Sequence, residues 1–343
     1  MERADLRIAE QIPWLPDETV FSWCSRYHLL AANGLASATC MQLFGRRRLG
    51  LAHDFPTGLQ ALAQRAGGSL GATEDIIKDR TVLAFYAPFR PAEMFERATR
   101  KMSSDGIGSL KYELGLLTSG LGAAHPLKAC PSCLANDHQH FRVAHWRRNH
   151  QLPGVWICPD HGDALLLSTL KLDQKARFQW VLPAQADLQP WTAHDERRDL
   201  RTSRVVAKKV AALSVALCAL SSGRLADAER IAKAFLRGLD SRGWLGTTTR
   251  VRWAAMKPAL RRTFGSLSVD GQMFLAVWTP GLVMAAACHV KFIKLSFNAA
   301  TMSTPASMGK RHDRRHATKT RWTAEYFRRR YGCPSRSVCP HVH

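Results

Sequence analysis

Acidic side chains are scarce in this 343-residue chain: 27 Asp and Glu stand against 49 Lys and Arg, for a formal net charge of +22. No pair of carboxylates is set up for general acid–base work. A glycine-rich phosphate loop is lacking too, which removes the commonest nucleotide-binding signature. The first residues, Met1 to Asp5, do not have the basic-then-apolar form of a secretory signal. A disulfide framework is also missing. Of nine cysteines, three fall in a metal motif completed by a histidine, and Cys24, Cys40, Cys218 and Cys288 stand singly among apolar residues, a usage that suits a reducing cytosol. The run Met273–Val290 carries no Lys, Arg, Asp or Glu, but Thr279-Pro280-Gly281 interrupts it and it sits at the short limit for a membrane span. A buried helix–turn–helix pair is the expectation there. General disorder is excluded by a hydrophobic content of 46%.

What is present is an uneven charge. Residues 1–125 hold 14 basic and 13 acidic side chains, residues 126–190 hold 7 and 5, and residues 191–343 hold 28 and 9. A net +19 on the last segment exceeds what solubility needs and points to a polyanion, with nucleic acid before an anionic membrane surface.

The strongest motif is Cys130-Pro131-Ser132-Cys133, followed after 24 residues by Cys158-Pro159-Asp160-His161. One CxxC and one CxxH supply three sulfurs and an imidazole to a single tetrahedral ion, and zinc takes that mixture readily. Four protein ligands close the site and leave no position for a catalytic water. The expectation is therefore one structural Zn2+ held by Cys130, Cys133, Cys158 and His161. His138, His140, His145 and His150 lie between the pairs and read as surface or packing histidines.

Around this motif the chain reads as mainly α. A helix is expected from Thr19 to Ala32, capped by Asp17, with Phe21, Cys24, Tyr27 and Leu30 on one face and Asn33-Gly34 closing it. A second, capped by Ser37 and stopped by Gly45, completes a helix-turn-helix-like unit. Arg46-Arg47-Arg48 follows at once and is a candidate phosphate grip. Further short helices are expected over 55–120, with an aromatic bend at Phe85–Pro91. Residues 168–199 read as a connector. Leu200–Leu220 is a strong helix whose face is marked by Val205, Val206, Val210, Leu213, Leu217 and Leu220, ended by Gly223. Another helix spans Leu225–Leu239. A basic helix from Thr247 or Thr248 carries Arg250, Arg252, Lys257, Arg261 and Arg262, the pattern of a groove-reading element. The tail from Ser303 is expected to order only when bound. Its Cys333, Cys339, His341 and His343 make a weak metal pattern without a core. The domain boundaries that follow are 13–125, a helical domain; 126–170, the zinc module; 171–295, a basic helical domain; and 296–343, the tail.

Leu15-Pro16-Asp17-Glu18, Ser22-Trp23, Arg26, Gly34 and Leu43-Phe44-Gly45, then the CxxC, Trp146, the CxxH and Leu165, resemble the TniQ/TnsD family of transposon target-selection proteins. The resemblance covers about residues 13–170, extends more weakly to 200–265 and stops near Leu295. It implies a non-enzymatic adaptor of the bacterial cytoplasm and nucleoid. Its implied partners are target DNA or a CRISPR guide-RNA effector complex on it, an AAA+ ATPase regulator, through that the transposase, and a second copy of the chain. It implies no membrane. A zinc-stabilised helix-turn-helix transcriptional regulator is the alternative, and a zinc-dependent nuclease or hydrolase the remote one.

Overall fold

Thr19 starts the first helix. Its side-chain oxygen accepts from the Ser22 amide at 3.1 Å and satisfies one of the free N–H groups of α1, Val20–Leu30. Asp17, the expected cap, takes a left-handed backbone (φ 54°) and turns elsewhere. Every residue of α1 from Val20 to Tyr27 is buried, so this is a central helix rather than one with a single apolar face. It can be central because its polar members are bonded: Ser25 donates to the Phe21 carbonyl at 2.8 Å, and Arg26 pairs with Glu18. The turn that follows uses Ala32, not Gly34, in the left-handed region. Asn33 secures it through its side chain, which donates to Thr39 Oγ1 at 2.8 Å. The second helix, α2, spans Ala36–Phe44 and stops at a left-handed Gly45, as expected; Ser37 lies inside it and does not cap it.

The computed structural model describes residues 9–106, 110–114, 116, 126–168, 170, 177–190 and 200–225, with scattered positions beyond, as far as 255. Five helices follow α2: α3 (Leu59–Arg65), α4 (Thr73–Arg80), α5 (Leu83–Tyr86), α6 (Ala92–Ser103) and α7 (Leu110–Glu113). The expected aromatic bend is α5 running into a single 3-10 turn, Ala87–Phe89, with Phe85, Tyr86 and Phe89 all buried. Then comes a three-stranded antiparallel sheet in the order β1 (Leu127–Ala129), β2 (Leu166–Ser168) and β3 (Gln189–Pro190). Leu127 pairs with Ser168 and Ala129 with Leu166. Between β1 and β2 lie α8 (Pro131–Phe141) and α9 (Arg148–Gln151). One hydrophobic core joins Trp23, Tyr27, Leu43 and Phe85 of the N-terminal helices to Cys130, Trp146, Cys158 and Trp180. Trp180 thus makes part of the presumed connector a piece of the core.

Among the described residues the last continuous helix, α10 (Leu200–Leu217), ends before Gly223 and buries a face that keeps Leu217 of the expected one but is otherwise made of small residues. Ala207, Ala211, Ser214 and Leu217 are buried, whereas Val205 and Leu213 are half exposed. The reason is close approach. A Cβ placed on Gly154 would stand 2.9 Å from Ser214 Oγ and 3.2 Å from Val210 Cγ1. Small side chains let the helix backbone lie against the loops of the metal segment, and that outweighs the hydrophobicity of its larger residues. Among the described residues no helix is long and apolar enough to cross a membrane. Met273–Val290, Cys288, the tail with its Cys333, Cys339, His341 and His343, most of the Leu225–Leu239 helix, and the basic helix apart from a few positions lie outside the described residues.

Candidate metal centre and the clasp beside it

Each half of the metal motif is built locally. Cys130 leaves β1 and occupies the N-cap position of α8, with Pro131 in the first helical position, where its missing N–H costs nothing. Cys133 falls one turn on, so both sulfurs stand at the positive end of that helix, which favours thiolate. The second half is a tight loop. Ile157 and Ala164 bridge across it, Cys158 N donates to the Asp163 carbonyl at 2.8 Å, and Gly162 N donates to the Cys158 carbonyl at 2.9 Å. Gly162 sits at φ 76°, which the sharp return requires.

The four donor atoms of Cys130, Cys133, Cys158 and His161 all lie within 4.8 Å of one another. Cys133 and Cys158 sulfurs are 3.7 Å apart, and His161 Nδ1 is 3.7, 3.3 and 3.6 Å from the sulfurs of Cys130, Cys133 and Cys158. Tetrahedral zinc with ordinary Zn–S and Zn–N lengths needs separations of about 3.8 Å between sulfurs and about 3.6 Å between sulfur and nitrogen. The residues fit a zinc-sized ion. The side-chain amide of Asn136 meets His161 Nε2 at 3.2 Å and orients the ring so that Nδ1 faces the sulfurs. Three thiolates this close repel one another unless a cation sits among them. Hydrogen bonds with Cys130 and Cys133 hold the Cys158 thiol far below its ordinary range, and those with Cys130 and Cys158 push Cys133 far above it.

Three neighbours were not legible as part of this site. His150 is buried, with Nε2 3.5 Å from the Cys158 sulfur and 3.8 Å from that of Cys133. It is a packing histidine beside the ligands and not one of the four. Asp163 accepts from Ser132 and lies 3.6 Å from the Cys130 sulfur. Lys128 is buried with Nζ donating to the Leu152 and Val155 carbonyls at 2.8 and 2.7 Å, over the ring of Trp156. Burial pulls its pKa down to about 7.

The metal segment is stitched to the Leu15–Glu18 loop. The Asp17 carbonyl accepts from Arg148 N at 2.6 Å, and its carboxylate accepts from Asn149 N at 2.8 Å. Asp17 is therefore a helix cap after all, but for α9, far along the chain. Burial raises its pKa, with the Asn149 amide and Arg148 opposing. Glu18 is fully buried and takes Arg26 in a two-pronged pair, Nε to Oε1 at 2.8 Å and Nη2 to Oε2 at 2.7 Å. Thr19 N donates to the Trp146 carbonyl, and Trp146 N donates to Ser22 Oγ. His145 Nε2 donates to the Pro16 carbonyl at 2.9 Å, while its Nδ1 lies 3.0 Å from Asp137 of α8. Arg147 completes the grip on Asp137. Burial alone would raise the Asp137 carboxyl, but hydrogen bonds from His145 and Arg147 bring it below its ordinary value.

The candidate DNA contacts fall into two groups. Arg46, Arg47 and Arg48 are exposed just past α2, and Arg46 pairs with Asp105. Arg252 is exposed; Arg250, Lys257, Arg261 and Arg262 lie outside the described residues.

The structure is a helical scaffold around a Cys3His cluster whose donor atoms could hold one metal ion. Residues 11–165 match the TniQ family model, so this segment of the chain is a TniQ domain. A stretch of 142 residues is 26% identical to the transposon Tn7 transposition protein TnsD of Escherichia coli, covering 41% of this chain and 28% of that protein. The match thus spans less than a third of the relative.

Proposed function

We propose that this chain is a target-selection adaptor of DNA transposition. It binds target DNA, or a guide-RNA effector complex seated on it, and recruits an AAA+ ATPase regulator, through which the transposase is brought in. The observation that carries this reading is the TniQ segment, 11–165, which contains the whole knuckle and the loop clasped to it. Its relative is named as a transposition protein. Zinc at Cys130, Cys133, Cys158 and His161 supplies a structural cross-link and no chemistry. The adaptor is not an enzyme: its work is to hold binding surfaces in a fixed relation. The net +19 over 191–343, including Arg250, Arg252, Lys257, Arg261 and Arg262, supplies the long-range attraction to DNA.

The test pairs two measurements on the zinc-loaded chain. DNA affinity should fall steeply as salt rises, because each neutralised phosphate releases counterions. The AAA+ ATPase of the same mobile element should co-purify with the chain. Salt-insensitive or absent DNA binding, together with no captured ATPase, overturns the reading.

A further inference from the structure

Trp180 fixes an exposed pair of residues against the end of α2. Its ring is buried, stacks on Phe44 at 6.4 Å and donates from Nε1 to the Ala36 carbonyl at 3.3 Å. The next carbonyl, Val181, accepts from Trp146 Nε1 at 2.7 Å. With that stretch held, Arg177 and Phe178 come to lie beside Arg48. The Phe178 ring is 48% exposed, and the guanidinium carbons of Arg48 and Arg177 each stand 5.7 Å from its centroid. Arg65 joins from α3: its Nη1 donates to the Gln42 carbonyl, the last turn of α2. Its guanidinium reaches within 2.9 Å of the point a Gly45 Cβ would occupy. Glycine at 45, at φ 73°, therefore makes room for that arginine as well as ending the helix. Asp105 engages Arg46; among the described residues no carboxylate pairs with Arg47, Arg48 or Arg65.

We propose that this surface is a nucleic-acid site in which Phe178 stacks on an unpaired base while Arg47, Arg48, Arg65 and Arg177 engage the flanking phosphates. A single exposed phenylalanine is ordinary on a protein surface. Arg48 and Arg177, from two separate stretches, stand at its ring, and Arg47 and Arg65 add charge at the end of α2; that charge is what gives it a ligand. Guanidinium groups bind phosphate and lie flat on rings, and an exposed aromatic among them is the usual platform for single strands. A base inside a duplex has no free face to offer, so the ligand is a strand that is unpaired, whether melted, displaced or RNA. An acidic protein surface would use the arginines and leave Phe178 idle. The inference rests on the reading that the chain meets nucleic acid, and it adds the strand form and the residues.

The experiment is fluorescence anisotropy on the zinc-loaded full chain. The probes are a labelled 20-nucleotide single-stranded DNA and the duplex of the same sequence, with polyglutamate as competitor. Phe178→Ala should weaken the single strand about tenfold and the duplex by less than about twofold, and Phe178→Trp should restore the single strand. Arg47→Ala and Arg48→Ala should each lower the salt slope on the single strand by about 0.7. Unchanged tryptophan fluorescence of the alanine variants, and unchanged zinc content of every variant, show that the exposed substitutions leave the fold intact. If Phe178→Ala leaves single-strand affinity unchanged while duplex binding persists, this inference falls and the DNA reading stands. If polyglutamate displaces the strand from wild type and from Phe178→Ala alike, the surface is one for acidic protein. If wild type binds neither strand form, the DNA reading falls with it.

Discussion

The knuckle and the arginine surface beyond α2 belong to the same compact unit and treat charge in opposite ways. At the knuckle, thiolates, Lys128, Asp137 and Glu18 are buried, and the carboxylates and the ammonium each meet an internal partner. Beyond α2, Arg47 and Arg48 stand in solvent. Buried charge is tolerated only when paired, so the first region is finished by the chain itself and an ion. The second keeps its charge for an outside partner. The difference teaches where to look for structure and where for recognition: substitutions at the knuckle should cost stability, and substitutions at the arginines should cost binding.

The largest effect should come from breaking the coordination. Cys133→Ser removes a ligand at the mouth of α8, and a structural zinc contributes on the order of 10 kcal/mol to folding of its module. Zinc content should fall well below one per chain and thermal unfolding should lose its cooperativity; retained stoichiometry would sink the ligand assignment. Asp137→Asn comes next. It leaves His145 and Arg147 without their carboxylate, a loss of about 3–5 kcal/mol for one partner of a buried pair. The sign with pH follows from the lowered pKa. Asp137 contributes fully above its ordinary value of 3.8, and the contribution fades as pH falls through the lower folded value. Urea unfolding of wild type and variant should therefore differ by a steady amount at every pH above 3.8 and converge only below it. The smallest effect belongs to the surface. Arg46→Ala breaks an exposed pair with Asp105 and should shift stability by less than about 1 kcal/mol, while still weakening DNA binding at low salt.

How much of this could be read from the chain depended on distance along it. The knuckle was legible because each ligand pair is made within four residues, and the two spacings name the chemistry. The helices of the N-terminal half were legible from periodicity and from Gly45. Asp17 was not: by local rules it caps the helix ahead of it, but its partner is Asn149. The buried Glu18–Arg26 pair, the Asp137 grip and the place of Trp180 in the core are likewise tertiary facts with no local signature. The face of α10 failed for a different reason. Periodicity finds large apolar residues, whereas Ala207, Ala211 and Ser214 are small residues that this helix buries, with Ser214 set close against Gly154. Arg65 and Phe178 reach the arginine triplet only through folding, which is why the triplet alone gave a weaker site than the surface does.

The central claim is that the metal braces the loop around Asp17, although no ligand belongs to that loop. Hydrogen exchange at the amides of Thr19, Arg148 and Asn149, followed with zinc bound and after chelation, tests it directly. These amides donate to Trp146, to the Asp17 carbonyl and to the Asp17 carboxylate. The brace predicts that all three are protected with zinc and lose protection together on its removal, before the Leu62 amide inside α3. Protection that survives chelation at these three positions would contradict it.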